Sequence, residues 1–274
     1  MFGGVIMRGM ACAAAALLCG SAAAASESGP RFTADLSVGY FTGDYGTDET
    51  TEIQVVSPRL RWQLPRGELR VSFPALHLQT SGPVTLVGST PVSPDSADKN
   101  LDLPEEGRVT EESVEGMGDV SVYGELDLLR GGAARPWITG LVRVKLPTAD
   151  EEENLGTGEA DFEGGLRWIQ PFGRTYLMAD ATYTRVGDPD DYELEDVVQL
   201  GAGVSRRFGA TSVQLFLENR SHPTPGRGDR INVALGASRR FGALSRLRLA
   251  GSTFVGLSET AEDFGLFLTV GRSF

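Results

Sequence analysis

From Arg31 onward, hydrophobic and polar residues alternate with a period of two, the mark of a strand whose faces meet different surroundings. Phe32, Ala34, Leu36, Val38 and Tyr40 alternate with Thr33, Asp35, Ser37 and Gly39. Ile138, Gly140, Val142, Val144 and Leu146 alternate with Thr139, Leu141, Arg143 and Lys145. Near the C-terminus, Phe264, Leu266, Leu268 and Val270 alternate with Gly265, Phe267, Thr269 and Gly271. The pattern predicts about twelve strands, over 31–42, 51–64, 68–80, 116–130, 136–147, 158–170, 174–186, 196–208, 211–220, 229–241, 244–257 and 262–274. Pro74 interrupts the third, because proline cannot donate to a ladder.

The connections fall into two alternating classes. Short turns lie at 65–67, 131–135, 171–174, 208–210 and 241–244; longer loops lie at 43–50, 81–115, 148–157, 187–195, 221–228 and 258–261. Short turns at one end and long loops at the other predict an all-β fold, a transmembrane antiparallel up-and-down β-barrel of the Gram-negative outer membrane. Strand lengths suit a tilted crossing, and closure satisfies every backbone group in hydrocarbon. Phe32, Tyr40, Trp62, Phe73, Trp168 and Phe274 stand where interfacial aromatic girdles are expected. The alternative is an exported soluble β protein with these aromatics in its core.

Residues 1–25 read as a secretory signal peptide: Arg8, an apolar run from Met10 to Cys19, then small residues before a cut ahead of Ser26. The domain organisation is then a signal peptide, 1–25, and a barrel, 26–274, with a long loop 81–115. Cys12 and Cys19 both lie in the signal peptide, so the exported chain has no disulfide and no thiolate ligand. The net charge of −12 argues against nucleic acid as a partner, and no later apolar stretch is long enough for a transmembrane helix.

The acidic excess concentrates in Asp95–Glu115, Asp150–Glu153 and Asp188–Asp196. These runs read as solvated faces, or as groups that bridge divalent cations to lipopolysaccharide or repel anions. The loop 81–115, with Pro83, Pro91, Pro94 and Pro104, reads either as a plug folded into the lumen or as a disordered segment above the membrane.

Alternation directs Arg59, Arg61, Arg70, Arg143, Lys145 and Arg167 inward, with Asp35, Asp119, Glu125, Asp127, Asp161, Glu163 and Asp180. The lumen or constriction candidates are Arg59, Arg61, Glu125, Asp127, Arg143, Lys145, Asp161, Glu163 and Arg167. The expected pairing sets Glu125 and Asp127 against Arg143 and Lys145, and those against Asp161, Glu163 and Arg167. Such a set is either a structural salt-bridge lattice or a charged constriction that selects solutes. Phe264, Leu266, Leu268, Val270 and the terminal Phe274 resemble the assembly signal of outer-membrane proteins, with Arg272 departing from it. The partners this implies are the barrel-assembly machinery, membrane lipids and lipopolysaccharide.

Catalytic chemistry finds little support. His77 has Gln79 two residues on, where an outer-membrane phospholipase needs a nucleophilic serine, and His222 lies in a Pro-rich loop. No metal-ligand spacing and no phosphate-binding loop appears, and no cofactor is required. The expectation is a porin-like passive channel or transporter for small solutes. A closed structural or adhesive barrel is the first alternative, and a lipid-modifying outer-membrane enzyme the second.

Three stretches resemble one family: Gly116-Met-Gly-Asp-Val120, Lys145-Leu-Pro-Thr-Ala-Asp150, and Asn154-Leu-Gly-Thr-Gly158 with Asp161. They resemble the outer-membrane transporter family named for the meta-pathway of phenol degradation. The resemblance implies a bacterial outer-membrane barrel and a link to aromatic or hydrophobic solutes. Ala149 stands where that family usually has glycine, and Glu151–Glu153 lengthens the loop. In local terms, Pro147 ends ladder pairing, and Gly156 and Gly158 allow a tight return of the backbone.

Overall fold

The computed structural model describes residues 32–45, 50–80, 85–87, 90–92, 112–132, 135–150, 153–187, 189, 193–242 and 246–274. The expected signal peptide and residues 93–111 of the long loop lie outside the described residues, as does much of each acidic run. The strands are β1 (Phe32–Gly43), β2 (Thr51–Leu64), β3 (Gly67–Ser72), β4 (Ala75–Thr80), β5 (Thr85–Val87), β6 (Thr90–Val92), β7 (Glu112–Met117) and β8 (Ser121–Leu129). There follow β9 (Trp137–Lys145), β10 (Asp161–Phe172), β11 (Thr175–Arg185), β12 (Val197–Phe208), β13 (Thr211–Arg220), β14 (Arg230–Phe241), β15 (Leu247–Gly256) and β16 (Phe264–Ser273).

These make a closed antiparallel barrel with twelve wall strands. β1 pairs with both β2 and β16, which closes the ring. The third wall strand is β3 with β4, broken at Phe73 and Pro74, and the fourth is β7 with β8, broken at Gly118–Val120. Pro74 cannot donate, yet its carbonyl accepts from the Gly118 N–H at 2.8 Å, so the two breaks lie side by side. At the short-turn end the seam carries an aromatic cluster, with Phe32 centred 5.8 Å from both Trp62 and Phe274.

The outer surface is apolar. Val142, Phe162, Leu235 and Leu268 are 60, 56, 55 and 53% exposed, while their sequence neighbours Arg143, Asp161, Ala234 and Phe267 are buried inside. Side chains of this kind on the outside of a closed ladder belong in hydrocarbon, and the protein is an outer-membrane barrel.

One corner reverses this polarity. In the upper parts of β2, β4 and β7 the inward residues are Ile53, Val55, Leu76, Leu78 and Val114; the outward ones are Glu52, Gln54, His77, Gln79, Ser113 and Glu115. Lower down, Val56, Leu60, Trp62, Val71 and Phe73 restore an apolar exterior. A tilted strand crosses the hydrocarbon in about 9–11 residues, and β2 has 14. The upper part of this corner therefore stands above the membrane and packs as a soluble protein does. This is why 112–115 belongs to a strand where the sequence reading had the end of a loop: Val114 points inward.

The hairpin of β5 and β6 joins the same corner. Leu86 and Val87 are buried, and Leu86 belongs to one apolar cluster with Phe41, Leu76, Leu78, Leu155 and Phe267. Its N–H donates to the Asn154 carbonyl at 3.3 Å, which ties this part of the 81–115 loop to the loop between β9 and β10.

Candidate functional site

Alternation along neighbouring strands brings a dense set of charges into the barrel. In the half near the short turns, Arg61 pairs with Asp35 and reaches Glu68 at 3.5 Å. Glu125 Oε1 lies 3.2 Å from Arg70 Nη2 and 3.4 Å from Arg167 Nη1. The Arg70 guanidinium also lies over the Tyr123 ring at 4.8 Å. Arg59 differs from these. It donates to the Ser37 hydroxyl and to Thr269 Oγ1 at 3.4 Å and lies over Phe267 at 5.5 Å, with no carboxylate in ion-pair range among the described residues. Its side chain stays partly exposed within the bore.

The second cluster unites the three stretches that carry the family resemblance. Lys145, fully buried, points its Nζ at Asp119 (3.1 Å), Asp161 (3.4 Å) and Thr157 Oγ1 (3.2 Å). Asp119 also accepts the N–H groups of Thr148 and Ala149 at 3.1 and 3.0 Å. β9 stops at Lys145, so among the described residues β7 ladders with β4 alone, and Leu155 from the loop after β9 lies against its other side. Leu146 N–H donates to the Val120 carbonyl, and Val120 N–H to Thr148 Oγ1. Leu155 packs directly on Gly116: a Cβ there would lie 2.5 Å from Leu155 Cδ1 and would displace the leucine. Gly158 turns the chain back to β10 with a φ of +68°. Beside this latch, Arg143 pairs with Glu163 at 2.7 Å, and Glu163 accepts from Thr184 at 3.2 Å.

The third cluster lies at the long-loop end of β12–β14. Arg230 pairs with Glu262 at 2.5 Å and lies over Tyr45, while Asn232 donates to both Glu262 oxygens at 3.2 Å. Gln199 donates to Glu218 at 3.0 Å. His222, buried in the loop above, accepts the Thr224 N–H on Nδ1 at 3.1 Å. Burial, together with the charges of Arg230, Arg227 and Arg220, lowers its pKa to about 4, so the ring is neutral at physiological pH.

The chain folds like a known outer-membrane channel. The crystal structure of the COG4313 outer membrane channel from Pseudomonas putida F1 matches with a TM-score of 0.65 at 19% identity, over 91% of this chain and 97% of that one. The transport unit of the autotransporter AIDA-I from Escherichia coli matches with a TM-score of 0.50 at 12% identity, over 96% and 97%. No family model matches the chain, and no curated relative does.

Of the sequence candidates, Arg59, Arg61, Arg143, Lys145, Asp161, Glu163 and Arg167 project inward in the clusters above. Two expected pairings are corrected. Glu125 stands opposite Leu141, and Arg143 opposite Tyr123, so Glu125 reaches Arg70 and Arg167 instead. Asp127 stands opposite Thr139, near the turn, and pairs with Arg130 at 2.9 Å. Phe264, Leu266, Leu268, Val270 and Phe274 all face outward. His77 also faces outward, with Nδ1 3.1 Å from Glu115 Oε1. The sequence reading missed Glu68, Glu218, Arg220, Arg230, Asn232 and Glu262. The first five were legible as inward positions in phase with Arg70, Phe216 or Ala234. Glu262 lies in a loop, where alternation gives no direction.

Proposed function

We propose that the protein is a passive channel for small solutes across the outer membrane. Arg59 carries this reading: it is a guanidinium held in the bore, partly exposed, bonded to hydroxyls and set over an aromatic ring, while its cross-strand neighbour Asp35 is ion-paired with Arg61 instead. A lattice serving only to fill the barrel would neutralise such a charge, since an uncompensated cation in a confined interior is costly. A cation left for passing solutes is a known selectivity device. The fold shared with the COG4313 channel supports the reading. So does the resemblance of the Lys145 latch to the phenol-degradation transporter family, from which we infer aromatic or otherwise hydrophobic solutes. Export would proceed through cleavage before Ser26, and the outward face of β16 would be read by the barrel-assembly machinery.

The closed structural barrel remains the second reading, favoured by the full pairing of Lys145 and Arg143. Single-channel recording in a planar bilayer separates the two. The channel reading expects discrete conductance steps, and Arg59→Gln shifts the reversal potential in a salt gradient toward cations. Absence of conductance from correctly folded protein would leave the structural reading in its place.

A further inference from the structure

Three arginines recur at equal spacing in the sequence: Arg206, Arg239 and Arg272, each followed two residues later by a phenylalanine, Phe208, Phe241 and Phe274. They lie at the short-turn ends of β12, β14 and β16, the strands that run toward the periplasm. In each pair the guanidinium lies over the ring, at 5.7, 5.3 and 5.4 Å. All six side chains are exposed on the lipid side of the wall, in phase with Val204, Leu235 and Leu268. Among the described residues, none of the three arginines has a carboxylate within 4 Å.

Among the described residues the rim around them is mainly basic. Arg135, Arg174 and Arg246 are exposed in the neighbouring turns, Asp127 is held by Arg130, and Glu68 turns into the bore beside Arg61. The opposite rim exposes Glu153, Glu193, Glu195, Asp229 and Asp263.

We propose that the three Arg–Phe pairs form a binding site for the phosphodiester headgroups of anionic phospholipids in the periplasmic leaflet. A phenylalanine at the edge of the apolar band anchors at the interface, and the arginine stacked on it is held at headgroup level. The planar guanidinium then offers paired N–H donors to phosphate oxygens. Adjacent strands are about 4.8 Å apart, so clamps on every second strand are separated by about 10 Å, room for one lipid each. This inference does not depend on whether the barrel conducts.

The test uses the full barrel in nanodiscs of phosphatidylcholine, with or without phosphatidylglycerol, at low salt. Phosphatidylglycerol should raise the unfolding midpoint of the wild type. The triple variant Arg206→Gln, Arg239→Gln, Arg272→Gln should lose that rise, with its midpoint in phosphatidylcholine unchanged. Phosphatidylglycerol retained in native mass spectrometry should fall roughly tenfold or more. If the triple variant fails to fold, Arg239→Gln alone should lose part of the retention. The proposal is overturned if the triple variant keeps the full shift. It is equally overturned if Arg135→Gln, Arg174→Gln, Arg246→Gln loses as much, which would mean diffuse charge. Inorganic phosphate reproducing the stabilisation in phosphatidylcholine discs would also overturn it, by showing a small-anion site.

Discussion

Two sectors of the wall fill the long-loop half of the same interior by opposite means. Across the upper β2, β4 and β7 the inside is apolar, with Ile53, Val55, Leu76 and Leu78 packed with Phe41 of β1 beneath Leu86 and Leu155, and the outside is polar. Across β9 to β14 the inside is charged, with Lys145, Arg143, Glu163, Glu218 and Arg230 joined by ion pairs and hydrogen bonds, and the outside is apolar between the strand ends. The solvent outside each sector accounts for the difference. A strand that faces lipid must place its apolar residues outward and leaves its polar ones to satisfy one another within. A strand that rises into water can bury its apolar face as a soluble sheet does.

The comparison is broken most directly at Lys145, where the two sectors meet. Lys145→Met leaves Asp119 and Asp161 buried without their cation. The expected loss is about 3–5 kcal/mol of unfolding free energy, read by urea unfolding in micelles. Adding Asp119→Asn and Asp161→Asn should restore much of it, because removing both signs of a buried pair costs far less than removing one. A single-variant loss below about 1 kcal/mol would show that the charged sector does not hold the 146–160 loop in place.

Leu155 tests the apolar sector from the same loop. Its side chain is 2% exposed and lies over Gly116, so Leu155→Ala opens a cavity between β7 and the loop. The expected cost is about 2–3 kcal/mol, independent of salt and pH. Limited proteolysis should report it first within residues 153–160, since the strands below keep their ladders. If the cost varies strongly with salt, electrostatics govern this sector too.

How much of this was legible in the sequence follows the same division. Where the wall faces lipid, apolar-out alternation marked strands to within a few residues; 211–220 coincides with β13, and 196–208 differs from β12 by one residue. Above the membrane the phase inverts, and 112–115 looked like the end of a polar loop although Val114 points inward. In the bore, alternation said which residues face inward and set Arg143 and Lys145 against Glu163 and Asp161, as found, but it misplaced Glu125 and Asp127. Pairing depends on register, and the register of β8 on β9 carries Glu125 past Arg143 to Leu141. The Lys145 latch had a different signal, the three family-like stretches, and the geometry brings them together: each contributes one part of a single buried contact set.

The smallest expected effect separates the sectors by pH. His222 caps the charged sector, and the cations Arg220 on β13, Arg230 on β14 and Arg227 in its own loop all oppose its protonation. With its pKa lowered to about 4 in the folded protein, against an ordinary value of 6.5, the unfolded chain takes up a proton first as pH falls. Stability from this residue is therefore complete above about pH 6.5 and is lost progressively as pH falls toward 4, by roughly 2 kcal/mol. His222→Gln should flatten the stability profile between pH 7 and pH 5, a window in which ordinary carboxylates stay ionised. Leu155→Ala should leave the slope of that profile unchanged while lowering its level. An unchanged slope in His222→Gln would mean that the ring meets enough water to protonate freely, and that the loop above β13 and β14 opens well below the unfolding transition.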